Sequence, residues 1–347
     1  MKKYILLVLA IYSTHTFGQV NTTFIDKQEK IETINSVKNI LEENYIFPEI
    51  TNKIIALVDK NITTGKYDSI NNSAEFAKIL TKDIQSFNQD RHLRILFEPE
   101  RIAKEEKVIS VEDSLQFEKE YILNLKRNNY FFKEVRILQG NIGYLDLRKF
   151  RDPKYAGETA VSAMNFLSNT DAVIIDLRNN GGGTPKMVQL IASYFFDSDV
   201  VQLSSVYKRK ERITKQFWTL PFVSGKRMPD IPLYILTSSR TFSAAENFAY
   251  DLQSLKRAII IGETTGGGAH PGGRIKASEK YNVWTPTGRA INPVTKTNWE
   301  KVGVIPDIKT HKKDALKTAH IKALKTLKSK NIKATNYYEN ILKTLKK

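Results

Sequence analysis

Two short runs, "AVIIDLR" (172–178) and "PLYILTS" (232–238), are almost continuously apolar. A strand with one wet face alternates apolar and polar residues, so a run without alternation marks a strand buried on both faces, as in a helix-covered parallel sheet. Each run ends in small and polar residues and leads into a helix-compatible stretch, "TPKMVQLIASYFF" after the first and "SAAENFAYDLQSL" after the second. A further such stretch, "AGETAVSAMNFLSN", precedes the first run. Strands alternating with helices predict an α/β core. Upstream, "VRILQGNIGYLDLRKF" alternates and turns at Gly140-Asn141, as a β-hairpin would.

The rest of the chain divides by texture. Residues 24–97 carry apolar residues at three- and four-residue steps, predicting a small N-terminal helical domain of three helices, the third capped by Asn72 or Ser73. Residues 98–130 are charged and mostly helix-compatible and read as a connector; the core is expected over 131–310, with a basic helical tail over 311–347. The start, "MKKYILLVLAIYSTHTFGQ", has two lysines, a short apolar run and a small-residue exit, so residues 1–18 read as a cleavable secretory signal and the protein as exported, periplasmic or extracellular. The apolar run falls short of the roughly 20 residues that a membrane-spanning helix needs.

The 347 residues include no cysteine, which excludes disulfides, thiolate nucleophiles and cysteine-bound zinc. Net charge is +17, of which Lys2 and Lys3 in the signal contribute two, and much of the remainder lies in the tail. That charge suits a solvated helix or contact with an anionic envelope surface. No nucleic-acid module accompanies it, so no nucleic-acid partner is expected.

Two stretches carry candidate chemistry. In "IIDLRNNGGGTPK" a buried strand ends in glycines before a helix, where backbone N–H groups can approach a ligand closely; a tight turn would look the same. The glycines match neither a dinucleotide fingerprint nor a phosphate loop, and neither a cofactor nor a metal is expected. In "LTSSRTFSAAENFAY", Ser243 opens a helix beside its unpaired N–H groups, a place for a nucleophile and equally for a plain cap, with Glu246 able to close a capping box. A serine nucleophile needs a base. His92, in "NQDRHLRILF", stands at a domain junction near Asp90; His270, in "GGGAHPGG", lies in a glycine-rich loop placed to contact substrate; His311 and His320 fall on the basic tail and are expected to be solvated.

Together, "GYLDLRKF", "IIDLRNNGGG", "LTSSRTFSAAENFAY", "IIIGETTGGGAHPGG" and "NWEKVGVIPD" resemble, in order and spacing, the carboxyl-terminal processing (tail-specific) serine peptidases. The likeness is to the branch with the interphotoreceptor retinoid-binding protein domain and the tricorn core peptidases, and it extends to "ENYIFPE" and "DRHL" in the helical segment. It implies a crotonase-like ββα core with Ser243 as nucleophile. The lysine base of the processing peptidases is replaced by Gly268, so the resemblance implies instead the Ser-His-Glu arrangement of the tricorn-like branch, with His92 as base and Glu300 as its orienting carboxylate. Gly182 or Gly183, with Ala244, are the implied oxyanion donors, and the substrate is a polypeptide. No PDZ-like segment is legible between helical domain and core. The retinoid-binding relatives supply the alternative: a retired active site holding an apolar ligand such as a retinoid or lipid.

Overall fold

The computed structural model describes residues 23–106 and 110–346, so the secretory signal read at 1–18 lies outside the described residues. Three helices come first: α1 (Lys27–Asn44), α2 (Pro48–Thr63) and α3 (Ser73–Ile84), the last capped by the Asn72 side chain, which accepts from the N–H groups of Ala74 and Glu75. Their inward stripes, including Ile34, Leu41, Ile54, Phe76 and Leu80, form one buried cluster. Strand β1 (Arg94–Phe97) then leaves the helical domain, and the helices α4 (Pro99–Glu106) and α5 (Val111–Arg127) follow.

The hairpin forms as expected, β2 (Phe132–Leu138) pairing antiparallel with β3 (Ile142–Leu147). Next come α6 (Pro153–Leu167), β4 (Ala172–Asp176), α7 (Pro185–Ser193), β5 (Gln202–Lys208), β6 (Ile213–Trp218), β7 (Leu233–Thr237) and α8 (Ala244–Ser254). The chain continues through β8 (Ile259–Gly262), β9 (Gly272–Lys276), β10 (Tyr281–Pro286), β11 (Gly288–Ile291) and β12 (Ile308–Lys309), and ends with α9 (Ala315–Lys330) and α10 (Thr335–Lys346).

The main sheet has the order β12-β8-β7-β4-β3-β2 and is parallel except for β2. Its central strands explain the unbroken apolar runs. Val173 and Ile175 of β4, with Leu233 and Ile235 of β7, face a cluster that includes α6, α7 and α8 residues. Ile174, Tyr234 and Leu236 face the opposite cluster. Burial of each such aliphatic side chain stabilises the fold by about 1.5–3 kcal/mol.

That opposite cover corrects the expectation of a solvated tail. Ala315, Ala319, Ala323 and Leu327 of α9 lie one turn apart and are buried on the sheet, and Tyr338 and Leu342 of α10 join them. Small alanine side chains let the helix axis approach the strands, while Lys317, Lys325 and Lys330 stay outside. His320 is buried too, its Nε2–H donating to the Gln139 carbonyl at 2.7 Å; only His311 is exposed as anticipated. Two smaller sheets, β11-β5-β6 and β1-β10-β9, flank the core. In the second, β1 pairs antiparallel with β10, which fixes the end of the helical domain, and with it His92, against the core.

Candidate active site

Two loops leave the carboxyl ends of the adjacent parallel strands β4 and β7, the edge at which open α/β sheets usually bind ligands. The loop after β7 delivers Ser243 at the N-terminus of α8 with φ 56° and ψ −122°. For a non-glycine residue this backbone is strained by about 1–3 kcal/mol, and the surroundings must hold it. Asn180, fully buried, is one support: its carbonyl accepts from the Phe242 N–H, its side-chain amide donates to the Leu147 carbonyl, and its Oδ1 accepts from the Gly182 N–H.

Glu246 is the other support. Its buried carboxylate accepts from the Ser243 N–H (2.8 Å), as a capping box requires, and from Thr265 Oγ1 (2.5 Å) and the N–H groups of Gly267 (2.6 Å) and Gly268 (2.9 Å). Burial pushes its carboxyl above the ordinary range, while these hydrogen bonds pull the other way. One side chain thus ties the serine turn to the glycine loop after β8.

The glycine pair divides by role. Gly182 has φ +100°, and a Cβ there would meet Ser243 Cβ at 2.9 Å and the Ala244 nitrogen at 3.0 Å, so only glycine fits under the serine. Its N–H is already spent on Asn180. Among the described residues, the N–H groups of Gly183 and Ala244 carry no hydrogen bond, and both residues line a narrow slot of about 90 Å³ with Ser243. The other walls are mostly apolar, including Val206, Ala269, Pro271, Ala290 and Trp299, with Asn247 the one further polar side chain.

His92 lies behind Gly268. A Cβ on Gly268 would stand 2.7 Å from His92 Cε1 and 2.2 Å from the tip of Phe242, so the missing side chain is what lets the imidazole come this close to the serine turn. The His92 ring packs on Phe242 with centroids 4.6 Å apart. Burial lowers its pKa to about 4, helped by the nearby cations Arg94 and Arg91 and opposed by Asp90, so the imidazole is neutral at neutral pH. Its Nδ1 has no partner, and among the described residues no hydrogen bond joins it to Ser243.

Glu300 completes this side. Its Oε2 accepts from the Ala269 N–H at 2.6 Å, and its Oε1 is buried without a partner. Burial, reinforced by the Asp90 charge, raises its pKa to about 7. His270 sits between the two carboxylates, Nδ1 2.7 Å from Asp90 Oδ2 and 3.4 Å from Glu300 Oε2. A carboxylate only accepts, so Nδ1 carries the proton. His270 is therefore buried in an ionic cluster on the wall of a separate cavity with Phe47, Arg289 and Glu300, and does not line the Ser243 slot. Asp90, fully buried, also accepts from the His92 backbone N–H at 3.0 Å.

One atom each of Asp90, His92 and Glu300 lies within 4.8 Å of the others, a set that a metal ion could bridge. The Asp90 carboxylate already has three hydrogen-bonded partners, Tyr45, His92 and His270, so the free atoms are His92 Nδ1 and Glu300 Oε1. Those are the two atoms that a histidine–carboxylate hydrogen bond would join.

Residues 141–310 match the family described as peptidase family S41, and residues 25–127 match the N-terminal domain of that family in eukaryotic IRBP. The chain is 29% identical over 168 residues to carboxyl-terminal-processing peptidase 2, chloroplastic, of Arabidopsis thaliana, covering 48% of this chain and 31% of that protein. It is 27% identical over 169 residues to a carboxyl-terminal-processing protease of Synechocystis, covering 48% and 37%. The match thus spans about a third of the length of these relatives. In fold it resembles a putative peptidase from Parabacteroides merdae (TM-score 0.55, 19% identity, 81% of this chain and 90% of that one). A lipoprotein from Streptococcus agalactiae is similar to the same degree (TM-score 0.55, 15% identity, 84% and 94%).

Proposed function

Because the chain belongs to peptidase family S41, we propose that it is an exported serine peptidase that cleaves polypeptides through an acyl-enzyme on Ser243. The observation that carries this reading is the backbone of Ser243: a strained turn at a helix N-terminus, fixed by Asn180 and Glu246, with two free N–H groups beside it. A residue that only capped the helix would not require φ 56°.

In this mechanism Ser243 Oγ attacks the scissile carbonyl carbon while the neutral imidazole of His92 accepts the hydroxyl proton. The tetrahedral oxyanion lies between the N–H groups of Gly183 and Ala244. Collapse breaks the C–N bond, and His92 passes its proton to the leaving amine. Water, deprotonated by His92, then hydrolyses the ester. Glu300 accepts from His92 Nδ1–H and balances the imidazolium, a task its free Oε1 suits. Hydrogen bonds of this kind are often open in substrate-free enzymes and tighten in the complex. The slot takes a small apolar side chain next to the scissile bond.

The size of that slot counts against the apolar-ligand alternative. Pockets that enclose small molecules span roughly 300–1,000 Å³, and about 90 Å³ beside Ser243 has no room for a retinoid or lipid chain. Export rests on residues 1–18 alone; a mature N-terminus beginning near Gln19 in the secreted or periplasmic fraction tests it. Among the described residues no helix is long and apolar enough to cross a membrane. Contact of the outer lysines of 311–347 with an anionic envelope surface is a proposal of the same standing, tested by flotation with anionic vesicles.

The activity itself is tested by incubating the mature protein with an unfolded polypeptide. The wild type is expected to produce fragments and the Ser243→Ala variant none; equal fragmentation by both would refute the assignment.

A further inference from the structure

A third cavity, of about 480 Å³, opens between α3 and the glycine loop after β8. It has four cations on its wall, Lys78, Lys82, Arg91 and Lys301, together with the amides of Gln85 and Gln89, and no acidic residue. Among the described residues none of the four makes an ion pair with a carboxylate. Three other charged cavities each carry their own acid: Asp68 in one, Glu49 and Glu300 in another, Glu339 in a third. Lys78 and Lys82 stand one turn apart on the same face of α3. Crowded like charges without counter-charge repel one another, and they concentrate anions in the concavity.

The cavity is joined to the reacting groups by short contacts. Arg91 precedes His92, donates from Nη1 to the Gly266 carbonyl at 2.7 Å, and holds its guanidinium 5.2 Å from the centre of the Phe242 ring. Phe242 precedes Ser243 and packs on His92. Lys301 follows Glu300, and its N–H donates to the Gly267 carbonyl at 3.0 Å. Two wall residues of the cavity, Arg91 and Lys301, are thus the immediate sequence neighbours of His92 and Glu300.

We propose that the cavity is a substrate subsite that receives an acidic segment of the polypeptide, aspartate or glutamate side chains flanking the scissile bond, and so sets a preference for acidic sequences. The proposal rests on the peptidase reading for its substrate, while the charge arrangement itself is independent of it. Three separated ammonium groups and glutamine amides suit carboxylates distributed along an extended peptide. Separate point charges of this kind bring both attraction and selectivity for the complementary sign.

The test measures binding apart from turnover. Full-length mature Ser243→Ala protein is titrated into two fluorescent peptides that differ only in an Asp-Asp pair replaced by Asn-Asn, and anisotropy is read at low salt and in 0.5 M NaCl. The acidic peptide is expected to bind about fivefold or more tightly at low salt, as two or three exposed charge pairs allow. High salt, or the further change Lys78→Glu with Lys82→Glu, is expected to erase that ratio. Both lysines are exposed on a helix, and a circular dichroism melt confirms that the variant folds. Equal affinity for the two peptides, or a ratio untouched by the lysine changes, overturns the proposal. A short oligonucleotide that displaces the acidic peptide, with no preference between the two peptides, also overturns it and assigns the cavity to nucleic acid. Wild-type cleavage of the neutral peptide separately judges the peptidase reading, so the two can fail independently.

Discussion

The serine side and the histidine side of the site are built differently. Around Ser243 every support is engaged: Glu246 accepts four hydrogen bonds, Asn180 makes three, and a strained turn is held in place. Around His92 two buried polar atoms, His92 Nδ1 and Glu300 Oε1, have no partner. Leaving such an atom unsatisfied costs about 1–3 kcal/mol. In the proposed mechanism, the nucleophile and its N–H donors are thus set in advance by the core, whereas the base comes from the turn between α3 and β1 and gains its hydrogen bonds as substrate binds. The contrast locates preorganisation on the core side and the adjustable step at the domain junction.

The contrast can be broken from either side. The largest effect is expected from Glu300→Gln, which keeps the shape and removes the charge: kcat/KM should fall by up to ~10⁴-fold with little change in KM, as loss of an orienting carboxylate does elsewhere. A fall smaller than tenfold in steady-state kinetics would remove Glu300 from the mechanism. Gly268→Ala should follow at about 10²-fold, because its methyl would displace Phe242 and His92 while leaving Ser243 fixed. Unaltered kinetics in that variant would mean that His92 does not work from its present position.

On the other side, Glu246→Ala strands three buried N–H groups and a hydroxyl, and should lower unfolding free energy by about 3 kcal/mol in urea titrations. A loss near zero would show that the serine turn is held by something else.

pH sharpens the comparison further. Glu300 is protonated below about 7 and ionised above it, so kcat/KM should rise with pH through an acid limb near 7, set by Glu300 and not by His92, whose pKa of about 4 lies well below. The stability effect has the opposite sign. A folded-state pKa raised from 4.5 means that the native state holds the extra proton, so this contribution is lost as pH rises from 4.5 to about 7. Glu300→Gln should flatten that slope in urea titrations at pH 5 and pH 8; an unchanged slope would show that Glu300 ionises normally.

Much of the scaffold was legible in the sequence because burial leaves a pattern. The two apolar runs became β4 and β7, the hairpin formed at Gly140-Asn141, and Asn72 caps α3. The smaller sheets were not read. Nearly every residue of β6 is exposed and β9 begins with two glycines, so neither shows an inward apolar stripe. The α9–α10 cover was hidden for a related reason: three of its buried contact residues are alanines, a weak apolar signal, and a lysine count describes only the other face. His320 was misplaced with it. In the site, local context made Ser243 and His92 candidates, and only the family resemblance gave them roles; His270 pairs with Asp90 across 180 positions, and no local spacing encodes that contact. Glu246 was read as half of a capping box; its bonds to the glycine loop come from residues 19 to 22 positions further on.

The central claim is that Ser243 is a nucleophile activated by His92. It is tested most directly by treating the mature protein with a serine-reactive fluorophosphonate and reading intact mass, beside Ser243→Ala and His92→Ala. The account predicts one adduct on the wild type and none on either variant. Labelling that persists in Ser243→Ala, or a wild type that takes no label, would contradict it.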